Sequence, residues 1–269
     1  MKNIILCFWL FCSALFGSES SFVTPDLLQL LKVMDVPHDG TPQSIAAAVT
    51  TRWARPAGKE RWEVEDTLTA TQREAVFNFC HQQHFFDEIT PTQKKYNYAL
   101  ILGGTVGRME KRIEHFVRLV ESGFEFGEVV LLAGARPLDS RVESFPEGCK
   151  TEGDAFIGLW KAQNVSKKFN CRLFEARMML TSEGLPRRPT TSDTYLYWLS
   201  TGPAPGSCLI FSNQPYCHYQ NAVAQLFIPK EFIMETIGIR ADPSVQNAVV
   251  LLDTIAAWIS YEVKQSISN

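Results

Sequence analysis

The sequence predicts an α/β fold: a Rossmann-like three-layer arrangement around a mostly parallel sheet, with an N-terminal helical region. Three apolar runs carry the prediction. Tyr98 to Leu102 stops in Gly103-Gly104-Thr105-Val106-Gly107. Glu128 to Leu132 runs into Ala133-Gly134-Ala135-Arg136, and Ser207 to Phe211 runs into Ser212-Asn213-Gln214-Pro215. Short buried runs that end in turn residues and lead into helical patterns read as parallel strands with crossover helices. In such sheets ligands bind outside the carboxyl ends of the strands, so a site is expected there.

The elements follow in order. Thr24-Pro25-Asp26 and Thr41-Pro42-Gln43 each place a capping hydroxyl before a proline, the pattern of a helix start. A third helix is expected over Ala70 to Phe86, which completes a helical region over residues 22–93. The α/β part is expected over 96–265. In it, Met109, Ile113, Phe116, Val117 and Val120 repeat at helical spacing, and Gly123 stops that helix. A helix over about 153–163, a strand over 171–176 and a helix through Tyr195 and Leu199 come next. Asp242-Pro243 then opens a long amphipathic helix reaching Val263, with Val245 on its apolar side.

The first residues read as a targeting segment. Lys2 precedes an apolar run from Ile4 to Phe16, and small or polar residues follow from Gly17 to Ser20. That layout is a secretory signal over residues 1–18, too short for a comfortable span, which needs about 20 apolar residues. A periplasmic or secreted location is expected, with membrane proximity through this segment. Five cysteines lie beyond it, an odd number, and Cys149 and Cys171 are candidates for a pair.

Charge limits the partners. The net charge is −3, with charged residues at 20% and no basic stripe, which argues against a nucleic-acid polymer as partner. A small polar or anionic ligand is the expected partner, and the sequence leaves the cofactor unknown. The Gly103–Arg108 loop frees backbone N–H groups at a helix start, where anions are favoured, and Arg108 and Arg112 lie a turn apart. The same glycines also suit a plain strand-to-helix turn. Glu152-Gly153-Asp154 reads as helix capping or as acid–base carboxylates, and Asp193 in Thr190-Thr191-Ser192-Asp193-Thr194 reads the same way, with Ser192 or Asp193 capping a helix near Tyr195. Ser212 to Gln220 is the densest polar cluster and reads as a binding loop containing Tyr216, His218 and Gln220. Cys217 or Ser212 with His218 is the nucleophile–base alternative. Arg136 and Arg187-Arg188 are either anion contacts or solvated surface. Cys80 and His84, four apart, offer two ligands and no second cluster of zinc-type spacing, so no metal site is assigned.

The order of these motifs resembles the SanA/YdcF/ElyC-like family of bacterial envelope proteins, a domain of unknown function. The resemblance runs from about Tyr98 to Pro229. It rests on Leu-Gly-Gly with Arg108 and Arg112, Ala-Gly, Glu-Gly-Asp-Ala at 152–155, Thr-Thr-Ser-Asp-Thr at 190–194 and Ser-x-x-Pro-Tyr at 212–216. It implies one strand-end crevice lined by Gly103, Gly104, Arg112, Gly134, Glu152, Thr191, Asp193, Ser212 and Tyr216, with Glu152 or Asp193 as acid or base in any reaction. The family usually continues its last motif with a histidine and then an arginine. Here Cys217 and Gln220 stand near those places and His218 is displaced by one. The function implied is an exported, envelope-associated binder of a small polar or anionic ligand, with or without catalysis. The alternative is a non-catalytic interaction protein that has lost the family's active site.

Overall fold

The computed structural model describes residues 22–268 except 57, 58, 60, 181–183 and 185. The run read as a secretory signal lies outside the described residues. No helix among the described residues is long and apolar enough to cross a membrane.

Three helices come first: α1 (Pro25–Val33), α2 (Pro42–Trp53) and α3 (Ala70–Gln82). The caps follow the sequence, with Thr24 accepting from Leu27 N–H and Thr41 from Ser44 N–H, each before a proline that presets the first helical φ. The α3 helix ends four residues sooner than its apolar pattern, because Gln83 caps it and His84 turns to φ +57°. The α/β part then runs β1 (Lys95–Leu102), α4 (Val106–Glu121), β2 (Glu125–Gly134), α5 (Glu152–Lys161) and β3 (Asn170–Ala176). A short antiparallel ribbon follows, β4 (Met179–Leu180) and β5 (Pro186–Arg187), then α6 (Thr191–Leu199), β6 (Ser207–Asn213), α7 (Cys217–Phe227), β7 (Ile233–Ile239) and α8 (Ala248–Ser268).

The main sheet has the order β3-β2-β1-β6-β7 and every pairing in it is parallel. Side chains alternate across it as the pleat requires. Ala99, Ile101, Val129, Leu131, Leu209 and Phe211 join the core under α4 and α5. Their neighbours Leu100, Leu102, Val130, Leu132, Cys208 and Ile210 join Tyr195 and Trp198 of α6 and Val223 of α7 on the other face. This is the Rossmann-like α/β architecture. The α1–α3 helices share a further core with α8, which also takes in Ala222 of α7, so they form an outer layer on that side.

Three sequence expectations are corrected here. The polar stretch after Ser212 is not one loop. Tyr216 is a helix N-cap and α7 begins at Cys217, burying Ala222, Val223 and Ala224 behind a polar first turn. The last helix does not open at Asp242-Pro243. A 3-10 turn over Pro243–Val245 leaves Val245 exposed, and α8 starts at Ala248, where the Asn247 side chain accepts from Val249 N–H. Cys149 and Cys171 are not paired; all five described cysteines are free thiols.

One buried group of α4 predicts an acid response. His115 packs edge-on against Phe211 at 5.7 Å and its Nδ1 has no partner among the described residues. Burial, with Arg118 adding like charge, pushes its pKa down to about 4. The unfolded state therefore binds the extra proton below about pH 6.5, and stability falls as pH drops from there towards 4. Replacing His115→Phe is expected to remove up to about 3 kcal/mol of that acid loss, read as a flatter urea-unfolding free energy between pH 6.5 and 4. An unchanged slope would overturn it.

Candidate functional site

The carboxyl ends of β1 and β2, with the N-terminal ends of α4, α5, α6 and α7, frame a crevice of about 340 Å³. It opens at the β1/β6 boundary, where the sheet order reverses, the usual ligand position in this architecture. Four helix N-termini reach it. Thr105 is the N-cap of α4, Glu152 the first residue of α5, Thr191 the first residue of α6 and Tyr216 the N-cap of α7, and all four line the crevice. Helix N-termini carry partial positive charge and backbone donors, so their convergence favours an anion.

The side chains add to that field. Six arginines line the crevice, Arg55, Arg61, Arg108, Arg112, Arg136 and Arg188, and Glu152 is the one carboxylate among the described lining residues. Arg112 is 3% exposed. Its Nη1 donates to the carbonyls of Leu102 at 2.7 Å and Gly103 at 2.5 Å, and its Nε is buried without a partner. Burial and the neighbouring Arg108 pull its pKa down to about 10. Arg108 donates to the Tyr216 hydroxyl at 2.7 Å and rests on that ring, 4.5 Å from its centroid. Burial, with Arg61 and Arg136 nearby, holds its pKa below the ordinary arginine value, although Tyr216 opposes this.

Arg136 is tied differently. Its Nε donates to Glu152 Oε2 at 3.0 Å, its Nη1 to Glu143 Oε1 at 2.5 Å and its Nη2 to the Gly104 carbonyl at 2.7 Å. Glu143 also accepts from Val106 N–H at 2.9 Å, joining the loop after β2 to the start of α4. Glu152 Oε1 accepts from Gly134 N–H at 3.1 Å. Burial lifts the Glu152 carboxyl above its ordinary value, against Arg136, Gly134 N–H and Arg112. With a guanidinium at 3.0 Å and a helix N-terminus behind it, Glu152 is the carboxyl anchor of the arginine cluster.

Gly103 makes this anchor fit. A Cβ at that position would overlap the Glu152 carboxylate and stand 2.7 Å from the Leu132 carbonyl. The neighbouring Gly104 has room, since its Cβ would meet Arg112 Nη1 at an ordinary 3.5 Å.

Compared with family models, curated proteins and solved structures, the chain matches none.

Of the residues singled out from sequence, Gly103, Gly104, Arg112, Gly134, Glu152, Thr191, Tyr216 and Gln220 come together around the crevice. Asp193 does not line it. It completes the capping box with Thr190 at the start of α6 and pairs with Arg187 at 2.9 Å. Ser212 lies fully buried at the end of β6 and does not reach the crevice lining. His218 turns away, its Nε2 2.9 Å from the Gln83 carbonyl and its ring 4.6 Å from Phe85. A carbonyl only accepts, so that nitrogen carries the proton and ties α7 to the outer helical layer. Cys217 is buried, and its thiol is pushed up to about 12 by that burial, against Ser212 and Arg112, which leaves it a poor nucleophile. Arg55, Arg61 and Glu143 carry no sequence signal of their own. They reach the site only through the packing of the outer layer and the fold of the loop after β2.

Proposed function

We propose that the protein binds a small anionic ligand, of phosphate-bearing type, in the crevice at the carboxyl ends of its strands. One observation carries the reading. Arg112, buried, and Arg108, half-buried, are neighbouring guanidinium groups bonded to carbonyls and to a phenol, and no carboxylate faces either at ion-pair distance among the described residues. Buried cations held close together are costly unless an anion offsets them. The unpartnered Arg112 Nε and the unpartnered Gln220 Oε1 leave the same crevice with unmet hydrogen-bonding capacity. Binding is better supported than catalysis, since Glu152 is engaged by Arg136 and Gly134 N–H and Asp193 sits outside the lining. The N-terminal apolar run and the resemblance to envelope proteins support an exported setting.

The test is thermal unfolding of the full-length protein with inorganic phosphate, sulfate, sugar phosphates and nucleotides. At ligand about 100-fold above Kd, binding adds about 2.7 kcal/mol, a rise in Tm of about 5–10 °C for a chain of this size. That rise is expected to vanish in Gly104→Val, which fills the crevice, and in Arg108→Gln. A folded preparation unmoved by the whole panel, with no anionic compound co-purifying in native mass spectrometry, would overturn the reading.

A further inference from the structure

We infer that the crevice is a two-anion site and that its ligand carries two linked phosphoryl groups, as in an organic diphosphate. This rests on the anion-binding reading above and names the ligand class. The lining arginines come from two layers of the fold. Arg108, Arg112 and Arg136 belong to α4 and to the loop after β2, at the strand ends. Arg55 and Arg61 belong to the connection between α2 and α3, in the outer helical layer and outside the stretch that resembles the envelope family.

Asp253 of α8 holds this second group in place. Its Oδ1 accepts from Arg55 N–H at 2.9 Å and its Oδ2 from Arg61 Nε at 2.8 Å. One carboxylate that does not itself line the crevice therefore fixes both a backbone N–H and a guanidinium of the segment that does. Tyr216 joins the two groups. Arg61 Cζ stands 5.0 Å and Arg108 Cζ 4.5 Å from the centroid of its ring, so the two guanidinium carbons are at most 9.5 Å apart. A lone phosphate brings about two charges and one set of oxygens. Two phosphoryl groups joined through an oxygen bring roughly double the charge and present oxygens to both arginine groups, matching planar guanidinium donors that favour such oxygens.

The assignment makes Arg61 a specificity-determining residue and Asp253 a positioning residue. It is tested by isothermal titration calorimetry of the full-length protein with inorganic pyrophosphate and with inorganic phosphate, EDTA present to remove divalent cations. Pyrophosphate is expected to bind at least about 10-fold more tightly than phosphate, a difference of about 1.4 kcal/mol. In Arg61→Gln the ratio is expected to fall to within about 2-fold of unity, with Arg61→Lys intermediate and Asp253→Asn shifted in the same direction, each variant checked for an unchanged circular dichroism spectrum. Equal affinities in the unmodified protein, or a ratio preserved in Arg61→Gln, would overturn the two-anion assignment and leave the anion-binding reading standing. Loss of phosphate binding together with pyrophosphate binding in Arg61→Gln would overturn it too, because Arg61 would then serve a single site. If neither anion binds, both readings fall.

Discussion

Replacing Arg136→Met is expected to cost about 3–5 kcal/mol of stability at neutral pH, and to do so in a pH-dependent way. The guanidinium is the common partner of Glu143 and Glu152, which are 8% and 6% exposed. Methionine fills part of the same volume but leaves two carboxylates buried with no cation between them. Their protonation supplies the sign. In the unmodified protein burial pushes the Glu143 carboxyl upward, but Arg136 and Val106 N–H outweigh it and hold the group below its ordinary value. That contribution is present above the unfolded pKa of about 4.3 and is lost as pH falls through the lower folded value. Without Arg136, burial dominates at both carboxylates and both folded values rise. Their contribution then becomes full below about pH 4.3 and is lost as pH rises through the raised folded values. The stability gap between variant and unmodified protein should therefore narrow from pH 7 to pH 5 in urea unfolding. A gap of less than about 1 kcal/mol at pH 7, or one that does not change with pH, would show that Arg136 is not what offsets the burial of these two carboxyl groups.

The legible part of the fold was the part written in single segments. The β1, β2 and β6 strands are unbroken apolar runs ending at turn residues, and α4 carries its apolar stripe at clean helical spacing. The β7 strand escaped notice because it is an edge strand in which Glu235, Thr236 and Gly238 interrupt the apolar pattern. The α7 helix escaped because its first turn is polar, and its buried face of Ala222, Val223 and Ala224 is small. The site shows the same divide. Thr151 to Asp154 and Thr190 to Asp193 are the same capping box, and in both the third helical residue, Asp154 or Asp193, folds back onto the cap. It is the first helical residue, Glu152 or Thr191, that faces the crevice. Sequence reasoning took Glu152 from one box and Asp193 from the other, because either acid suits a cap or a site and only two residues separate the first helical position from the third. The arginine cluster was harder still. Its members run from Arg55 to Arg188 in a chain whose net charge is −3, so only the convergence of strand ends and the outer layer concentrates them.

The two adjacent glycines at the end of β1 should differ sharply. Gly103→Ala is expected to destabilise the protein by about 3 kcal/mol and to abolish anion binding, whereas Gly104→Ala should stay within about 0.5 kcal/mol of the unmodified protein. The contrast comes from what each new methyl would meet. At Gly103 it would stand 2.7 Å from the Leu132 carbonyl and 3.1 Å from Ala133 Cα, which belong to the neighbouring strand and cannot yield without disturbing the pairing of β1 with β2. Gly103 N–H donates to that same carbonyl at 2.6 Å, so moving away also stretches a buried hydrogen bond. The methyl would overlap the Glu152 carboxylate as well. To escape, Glu152 must leave Gly134 N–H and Arg136, and the charge it balances is then exposed to Arg112 and Arg108. At Gly104 the atoms nearest the added methyl are the guanidinium of Arg112 and the stem of Arg108, side-chain atoms at ordinary contact distance. Urea unfolding of the two variants, side by side with phosphate titrations, separates the explanations. If both alanines behave alike, the glycines are there for the turn alone. If only Gly103→Ala fails, the pair of glycines at the strand end is divided in its work: one lets the Glu152 anchor reach Arg136, and the other keeps the crevice open.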